Sequence, residues 1–185
     1  GNLRWRVAYS FVDATYQSQF VVSAESNSSA DANGDIVVHP GDRLPLVPRQ
    51  TGRLVLDYRF SQRLQLGANL VVASGSYLHG NENNANVAGG TNAAGQVIAP
   101  DGTGWIPSYA LVNLQGTYRL GESLQLFARV VNLLNAQYGT AGFLTVNTFT
   151  PSGSFRTNPD EWTNENALSP GAPRGIWAGI RLRLD

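Results

Sequence analysis

Six segments of this sequence alternate between apolar and polar residues, and this period of two constrains the fold more than any other feature. Successive side chains of a β-strand point to opposite faces, so such alternation gives each strand one apolar and one polar face. The sequence therefore predicts an all-β fold built from antiparallel strands. The six predicted strands span residues 3–15, 53–60, 63–76, 109–120, 123–135 and 175–184.

The connections between these segments are either very short or very long. Two-residue hairpins join neighbouring segments at residues 61–62 and 121–122. The other three connections are rich in Asn, Gly, Ser, Thr and Pro, and span residues 16–52, 77–108 and 136–174. A compact soluble domain rarely holds even one irregular connection longer than about 15 residues. Three such connections on one end of the sheet favour a transmembrane outer-membrane barrel over a soluble antiparallel sheet, which also alternates.

Strand length and arginine placement agree with a membrane-spanning barrel. About 10 residues at roughly 3.3 Å each, tilted by about 45°, cross an apolar band ~25 Å tall. Nine of the 13 basic residues, all of which are arginine, lie in predicted strands and fall on the polar face. We expect lipid contacts at Leu54, Leu56, Leu66, Leu114, Leu126, Ile180 and Leu182. We expect an interfacial aromatic girdle near the periplasmic end at Trp5, Tyr58, Phe60 and Tyr118.

Six strands are too few to close a barrel of this kind, since bacterial outer-membrane barrels begin at about 8 strands. An open sheet would leave two unpaired edges in lipid, where backbone groups find no hydrogen-bond partner. The sequence also contains no methionine, and we therefore expect that Gly1 is not a translation start. We therefore expect the 185 residues to be the C-terminal portion of one larger barrel domain.

The composition argues against several classes of function. The formal net charge is zero, which disfavours a nucleic-acid partner, and the lack of cysteine excludes thiolate metal sites and thiol catalysis. His39 and His79 have no partner residues at catalytic or metal-ligand spacing. Residues 31–35 only faintly resemble a calcium loop, because the glycine is misplaced and the closing glutamate is missing. We expect no enzyme activity, no cofactor and no bound metal.

Three stretches resemble barrel strands of TonB-dependent outer-membrane receptors. Residues 41–60 (GDRLPLVPRQTGRLVLDYRF) resemble the start of a late strand, and residues 123–144 (SLQLFARVVNLLNAQYGTAGFL) resemble the penultimate strand. Residues 170–184 (PGAPRGIWAGIRLRL) resemble the last strand. The penultimate pattern is matched at Arg129, Asn132, Leu133, Asn135 and Tyr138. The three stretches occur in the family's order and spacing, and their combination is more specific than any one of them.

The resemblance implies that the chain forms the last six strands of a barrel of about 22 strands in a Gram-negative outer membrane. The short turns would then be periplasmic and the long connections extracellular. The whole receptor would take up a scarce solute. Ferric siderophores are the family's commonest solute, while vitamin B12, other metals and glycans stay open. A passive porin-like or structural barrel and a soluble glycan-binding β-sheet module are the alternative functions.

The same resemblance implies the partners. They are outer-membrane lipid, the rest of the barrel, a plug domain and TonB, which would engage a segment upstream of these residues. The insertion machinery of the outer membrane would read the last strand. Members of the family usually end on an aromatic residue, whereas this sequence ends in Leu184 and Asp185.

Candidate ligand contacts lie in the long connections and on the polar face, at Tyr77, His79, Trp105, Arg129, Phe143 and Trp162. The aromatic residues among them could contact a solute or pack the connections together. The strand arginines could attract an anionic solute, or pair with carboxylates of the plug and of neighbouring strands. We favour pairing, because buried charges need partners.

Overall fold

The computed structural model describes residues 2–183 as an all-β chain, so the Leu184 and Asp185 ending lies outside the described residues. The strands of this part are β1 (Leu3–Phe11), β2 (Phe20–Ser23), β3 (Asp35–Val38), β4 (Gln50–Arg59), β5 (Leu64–Ala73), β6 (Ser76–Tyr77), β7 (Val97–Ile98), β8 (Trp105–Ile106), β9 (Tyr109–Arg119), β10 (Leu124–Val131), β11 (Gly139–Asn147), β12 (Thr163–Pro170) and β13 (Gly175–Leu182). A 3₁₀ turn at Pro159–Glu161 precedes β12. Within residues 2–183, no helix is both long and apolar enough to cross a membrane.

One six-stranded antiparallel sheet, which we call the wall, is the main element of the fold. Its strands pair in the order β1, β4, β5, β9, β10 and β13, which is also their order along the chain. These strands occupy the six alternating segments of the sequence. The predicted all-β, antiparallel fold is confirmed.

The register of the wall places most of the large apolar residues of all six strands on one side, the apolar face. One row of directly opposed residues crosses the sheet through Trp5, Leu56, Ala68, Leu114, Val130 and Ile176. A slip of one residue in any pairing would turn that strand's apolar side chains to the opposite side. The other side, the polar face, carries every arginine of the wall strands.

The apolar face has no protein cover within the described residues. Trp5 is 66% exposed, Ile176 70% and Ile180 69%. By contrast, the fully buried large side chains, such as Ile36 and Leu78, lie in the long connections. A contiguous apolar surface of this extent marks contact with a membrane or with another protein surface.

Tight hairpins join the wall strands at the end opposite the long connections. After β4, the backbone N–H groups of Phe60 and Ser61 both donate to Leu64 O, and the Ser61 hydroxyl accepts from the N–H of Leu64. After β9, the N–H of Leu120 donates to Leu124 O at 2.9 Å. Turn residues that satisfy backbone groups locally fix the register of both hairpins.

Several strands begin or end a few residues away from the approximate bounds predicted from the sequence. The strand predicted at 3–15 ends at Phe11, and the one predicted at 63–76 ends at Ala73. The strand predicted at 123–135 ends at Val131, because Asn132 and Asn135 adopt positive φ angles of 50° and 51° and leave the ladder. For the strands predicted at 53–60, 109–120 and 175–184, the observed bounds differ from the predicted ones by up to three residues. As a result, Arg63 and Arg183 lie just outside strands, and seven rather than nine arginines lie within them.

The long connections contain short strands that the sequence did not reveal. β2 pairs with β3, β6 pairs with β8, and β12 pairs with β11 on one side and β7 on the other. Most are two to four residues long, too short for alternation to be recognised, and their pairing depends on contacts between connections distant in sequence. The expectation of irregular connections is therefore corrected: they form small sheets above one end of the wall.

Candidate functional site

Buried and half-buried asparagine side chains tie the first long connection to the second. Asn27, which is 0% exposed, donates from Nδ2 to Gly80 O at 2.7 Å. Asn84 pairs with both backbone groups of Arg43: its Oδ1 accepts from the Arg43 N–H at 2.7 Å, and its Nδ2 donates to Arg43 O at 3.1 Å. An amide side chain used in this way replaces a missing strand neighbour and fixes the relative position of two loops.

A second set of asparagines holds the middle connection together and joins it to the third. Asn81, 1% exposed, donates to Gly104 O at 3.1 Å and accepts from the N–H of Asn86 at 3.0 Å. Asn164 in β12 is also 1% exposed and donates to Gln96 Oε1 at 3.3 Å. Burial of an unpaired amide would cost about 1–3 kcal/mol, so these bonds make the loop assembly specific.

Tyr77 and Trp105 lie directly opposite each other in the pair β6 and β8. Their rings meet edge to face with centroids 4.8 Å apart, and the guanidinium of Arg43 lies 5.6 Å from the centroid of Tyr77. A cation over an aromatic face is worth roughly 0.5–1 kcal/mol at a partly exposed site. The three side chains therefore form an aromatic and cationic contact between the first and second connections.

His79 and Phe143 meet at an isolated parallel bridge between the second and third connections. The N–H of Leu144 donates to His79 O at 2.8 Å. The His79 side chain is 66% exposed and its Nδ1 lies 3.0 Å from Oε1 of Glu82. The Phe143 ring is exposed, so both side chains border solvent.

The carboxyl group of Glu82, which contacts His79, is almost fully buried. Its Oε1 accepts from the N–H of Gly80 at 3.0 Å, whereas its Oε2 has no hydrogen-bond partner within residues 2–183. Burial raises the pKa of Tyr16, and the negative charge of Glu82 raises it further. Sequence reasoning missed Glu82 and the asparagines, because polar residues in loops carry no pattern that predicts burial.

Trp162 and Arg129 lie in other parts of the molecule. Trp162 follows the 3₁₀ turn, and its indole Nε1 donates to Arg156 O at 2.9 Å, which anchors the base of the third connection. Arg129 belongs to the wall and lies on the polar face between Gln115 and Trp177 of the neighbouring strands. The structure thus brings four of the six predicted contact residues to the junction of the connections and leaves two elsewhere.

The polar face of the wall curves around a hollow of about 630 Å³. Charged groups of Arg6, Arg53, Asp57 and Arg129 line it. The lining also includes the amide side chains of Asn69, Asn113 and Gln115. Guanidinium and amide groups donate hydrogen bonds to oxygen atoms, so this surface suits an oxygen-rich, anionic partner.

The loop at residues 31–35 is a locally bonded turn. Asp31 Oδ1 accepts from the N–H of Asp35 and from the N–H of Asn33, and these bonds lower the pKa of Asp31. In the described part of the chain, no three His, Asp or Glu side chains converge to hold a metal ion.

Comparison with known proteins gives one family match. The model of the family described as TonB dependent receptor-like, beta-barrel matches residues 1–133. No curated protein matches the sequence.

Solved structures share the fold at low sequence identity. The closed form of the ferric-catecholate import receptor Fiu from E. coli K12 is 16% identical with a TM-score of 0.53, and the match covers 96% of this chain and 18% of that one. A mutant of the ferric enterobactin receptor PfeA from Pseudomonas aeruginosa, in complex with enterobactin, is 17% identical with a TM-score of 0.52, over 98% of this chain and 20% of that one. The unliganded ferric citrate transporter FecA is 18% identical with a TM-score of 0.52, over 98% and 21%. The chain thus spans about one fifth of the length of these proteins.

Proposed function

The chain belongs to the TonB-dependent receptor family of β-barrels, and we propose from this that it forms wall and outer loops of a transporter for a scarce solute in a Gram-negative outer membrane. The wall would cross the membrane with its apolar face in lipid and its polar face toward the lumen. The observation that carries this proposal is the register, which places every arginine of the wall strands on one face and most of their large apolar side chains on the other.

The lipid side would include the leucine and isoleucine positions expected from the sequence. Leu54, Leu56, Leu66, Leu114, Leu126, Ile180 and Leu182 share the apolar face in the observed register. Trp5, Tyr58 and Tyr118 lie on the same face, and Phe60 follows β4 at the hairpin end. Aromatic side chains near the hairpins fit an interfacial girdle at the periplasmic boundary.

The proposed solute is a ferric siderophore, as the family resemblance implies. Tyr77, His79, Trp105 and Phe143 are the proposed outer contacts, with Trp162 at the third connection and Arg129 deeper in the lumen. The exposed ring of Phe143 and the half-buried rings at β6 and β8 support contact with an aromatic or planar chelator. Arginines on the polar face support a negatively charged complex.

Energised uptake distinguishes this function from a passive porin. In iron-limited cells that carry the full-length receptor, we expect accumulation of radiolabelled ferric siderophore that stops when TonB is deleted or the proton gradient is collapsed. The family is one of transport receptors, not of enzymes. Accumulation that persists without TonB would instead support the passive barrel, and extraction into buffer without detergent would support the soluble glycan-binding module.

A further inference from the structure

The two histidines of the sequence have similar surroundings but differ in how their rings are held. Each is followed by a carboxylate three residues later, and the side chains are 61% exposed at His39 and 66% exposed at His79. His39 Nδ1 lies 3.9 Å from Asp42 Oδ2, too far for a hydrogen bond, and that oxygen accepts instead from the backbone N–H of His39. His79 Nδ1 lies 3.0 Å from Glu82 Oε1. Of the two rings, only that of His79 bonds its carboxylate.

The contact with Glu82 decides which nitrogen of the His79 ring carries the proton. Glu82 Oε1 also accepts from the N–H of Gly80 at 3.0 Å, so this oxygen acts as an acceptor. An acceptor opposite Nδ1 requires the ring proton on Nδ1, which leaves the lone pair of a neutral imidazole on Nε2. Metal-ligating histidines in proteins have this arrangement, in which a carboxylate bonds the nitrogen that does not bind the metal.

The backbone at His79 is also held firmly. Its N–H donates to Gly142 O at 3.3 Å, and its O accepts from the N–H of Leu144 at 2.8 Å, so β11 supports the residue from one side. The next residue, Gly80, has a φ of 87°, and a Cβ there would lie 3.1 Å from Leu144 Cβ. A glycine suits the sharp turn that brings Glu82 back against the ring. Backbone and carboxylate together preorganise the imidazole.

The turn alone does not explain why Glu82 is a buried carboxylate. Its side chain is only 11% exposed, and its Oε2 has no hydrogen-bond partner within residues 2–183. Burial of a polar atom without a partner destabilises a fold. An apolar side chain of similar size would avoid that cost but would leave the His79 ring without a fixed proton. The orientation of the imidazole is therefore what the carboxylate adds.

We propose that His79 is a metal ligand for the transported solute, and that Glu82 is the positioning residue that directs its Nε2 toward the metal. The proposal rests on the proposed function, because the metal is the iron of a ferric chelate. It narrows the solute to chelates whose own donor atoms leave a coordination position open. The bond between iron and Nε2 forms as a water ligand leaves the iron.

This class of solute agrees with the surroundings of His79. Iron accepts imidazole as a ligand, whereas a hexadentate siderophore that surrounds its iron completely has no position for one. Among the residues that the structure describes, no three His, Asp or Glu side chains converge, so the chelate brings the remaining ligands. Phe143, the partner of His79 in the parallel bridge, is 53% exposed and offers apolar surface to the organic part of the chelate.

The test uses the full-length receptor in detergent and cupric iminodiacetate as the probe, because this copper complex also has open coordination positions. Electron paramagnetic resonance detects an imidazole nitrogen bound to the copper. His79→Gln removes the ligand, and Glu82→Leu keeps a side chain of similar size that cannot orient the ring. His39→Gln is the matched control, since that side chain is similarly exposed but lacks the ring hydrogen bond. Heat-modifiable gel mobility verifies that each variant has formed its barrel.

Histidines elsewhere in the receptor contribute equally to all variants, so difference spectra isolate the two sites. We expect the site lost in His79→Gln to bind copper about tenfold more tightly than the site lost in His39→Gln, and Glu82→Leu to abolish that advantage. A purely structural role of Glu82 would change loop protection in hydrogen exchange but not this affinity ratio. Equal affinities at the two histidines, or an unchanged ratio in Glu82→Leu, would overturn the proposal.

Equilibrium dialysis with radiolabelled iron tests the class of solute. Ferric nitrilotriacetate is tetradentate and leaves positions on the iron open, whereas a ferric trihydroxamate is hexadentate. His79→Gln should weaken binding of the tetradentate chelate by about tenfold or more and leave binding of the hexadentate one unchanged. If both chelates lose affinity equally, or neither does, His79 does not ligate the iron and the proposal is wrong.

Failure of the proposed function has a different signature. If cells with the wild-type receptor accumulate no ferric chelate in a TonB-dependent manner, both the proposed function and the role of His79 in uptake are wrong. If uptake depends on TonB and His79→Gln binds copper and ferric nitrilotriacetate as the wild type does, only the role of His79 is wrong.

Discussion

At the scale of single residues, buried asparagines fix the positions of the long connections through hydrogen bonds, whereas alternation fixes the two faces of the wall. Asn27, Asn81 and Asn164 are each buried to 1% exposure or less, and each has hydrogen-bond partners distant in sequence. Their roles were not predictable from the sequence, because an asparagine in a polar loop usually faces solvent. Burial here depends on tertiary contacts between connections, which no local pattern reveals.

Asn27→Ala should loosen the first and second connections without affecting the wall. Removal of its amide leaves Gly80 O without this bond in a half-buried position, a loss of about 1 kcal/mol or more. We expect faster hydrogen exchange and faster proteolysis in residues 16–49 and 77–104, with unchanged heat-modifiable mobility of the full-length receptor. Asn33→Ala, at an exposed position in the same connection, is the control. Equal loop protection in both variants would contradict the role of Asn27.

The pH titration of Tyr16 tests whether the charge of the buried Glu82 acts on this phenol. Burial and the charge of Glu82 raise the pKa of Tyr16 in the folded state, so the neutral phenol is the stabilised form. Its contribution to loop stability is fully present below the unfolded-state pKa of about 10 and is lost as pH rises through the folded-state pKa.

In the Glu82→Gln variant, the Tyr16 titration should move to lower pH, because one cause of the raised pKa is removed. Ultraviolet phenolate absorbance, measured as the difference between each receptor and its Tyr16→Phe counterpart, follows this group. Glu122→Gln, at the exposed hairpin after β9, is the control and should leave the midpoint unchanged. If the titration midpoint of Tyr16 is the same in the wild type, in Glu82→Gln and in Glu122→Gln, then Glu82 does not act on Tyr16.

At the scale of elements, the wall was predictable and the small sheets were not. Each wall strand is eight residues or longer, enough for alternation to show and for both faces to be assigned. By contrast, β6, β7 and β8 hold two residues each and form only where another connection supplies a neighbour. β11 and β12 are nine and eight residues long, but their sequences do not alternate regularly. The predicted ends of the wall strands differ from the observed ones where a side chain, and not a neighbouring strand, bonds the backbone. Asn132 is an example, because its side-chain amide bonds both backbone groups of Ala136.

The two faces of β10 and β13 should respond oppositely to an inserted charge. Leu126 and Ile180 lie opposite each other on the apolar face, whereas Gln125 lies on the polar face opposite Arg181. Leu126→Arg or Ile180→Arg should impair assembly, since an arginine in mid-depth lipid costs about 2–4 kcal/mol. Gln125→Arg should assemble, and heat-modifiable mobility of the full-length receptor distinguishes the outcomes. Equal assembly of all three variants would show that the face assignment is wrong.

At the scale of the whole molecule, the structure brings some of the predicted contact residues together and leaves others apart. Tyr77 and Trp105 were selected as aromatic loop residues, and the strand pair β6 and β8 brings them together. Arg129 was selected from the wall and lies in the hollow on the polar face. Trp162 supports its own connection through Arg156 O. Composition therefore indicated which residues could take part in a site, but only the assembly of the three connections decides which of them are neighbours.

The two edge strands of the wall determine whether residues 1–185 can assemble in a membrane without the rest of the receptor. β1 and β13 each have one paired neighbour within residues 2–183, and β1 is exposed along its whole length. Unpaired backbone groups are not tolerated in lipid, so we expect residues 1–185, expressed alone with a signal for export, to form no heat-modifiable monomer in the outer membrane.

Co-expression with the remaining part of the receptor should restore assembly, because both edges then find partner strands and the barrel closes. The matched control repeats the co-expression with Leu126→Arg, which should prevent recovery without changing either edge. Purification of a folded, detergent-soluble 19.9 kDa monomer from residues 1–185 alone would show that the sheet satisfies its own edges. The proposal that these strands are wall of a larger barrel would then be wrong, even with the family match in place.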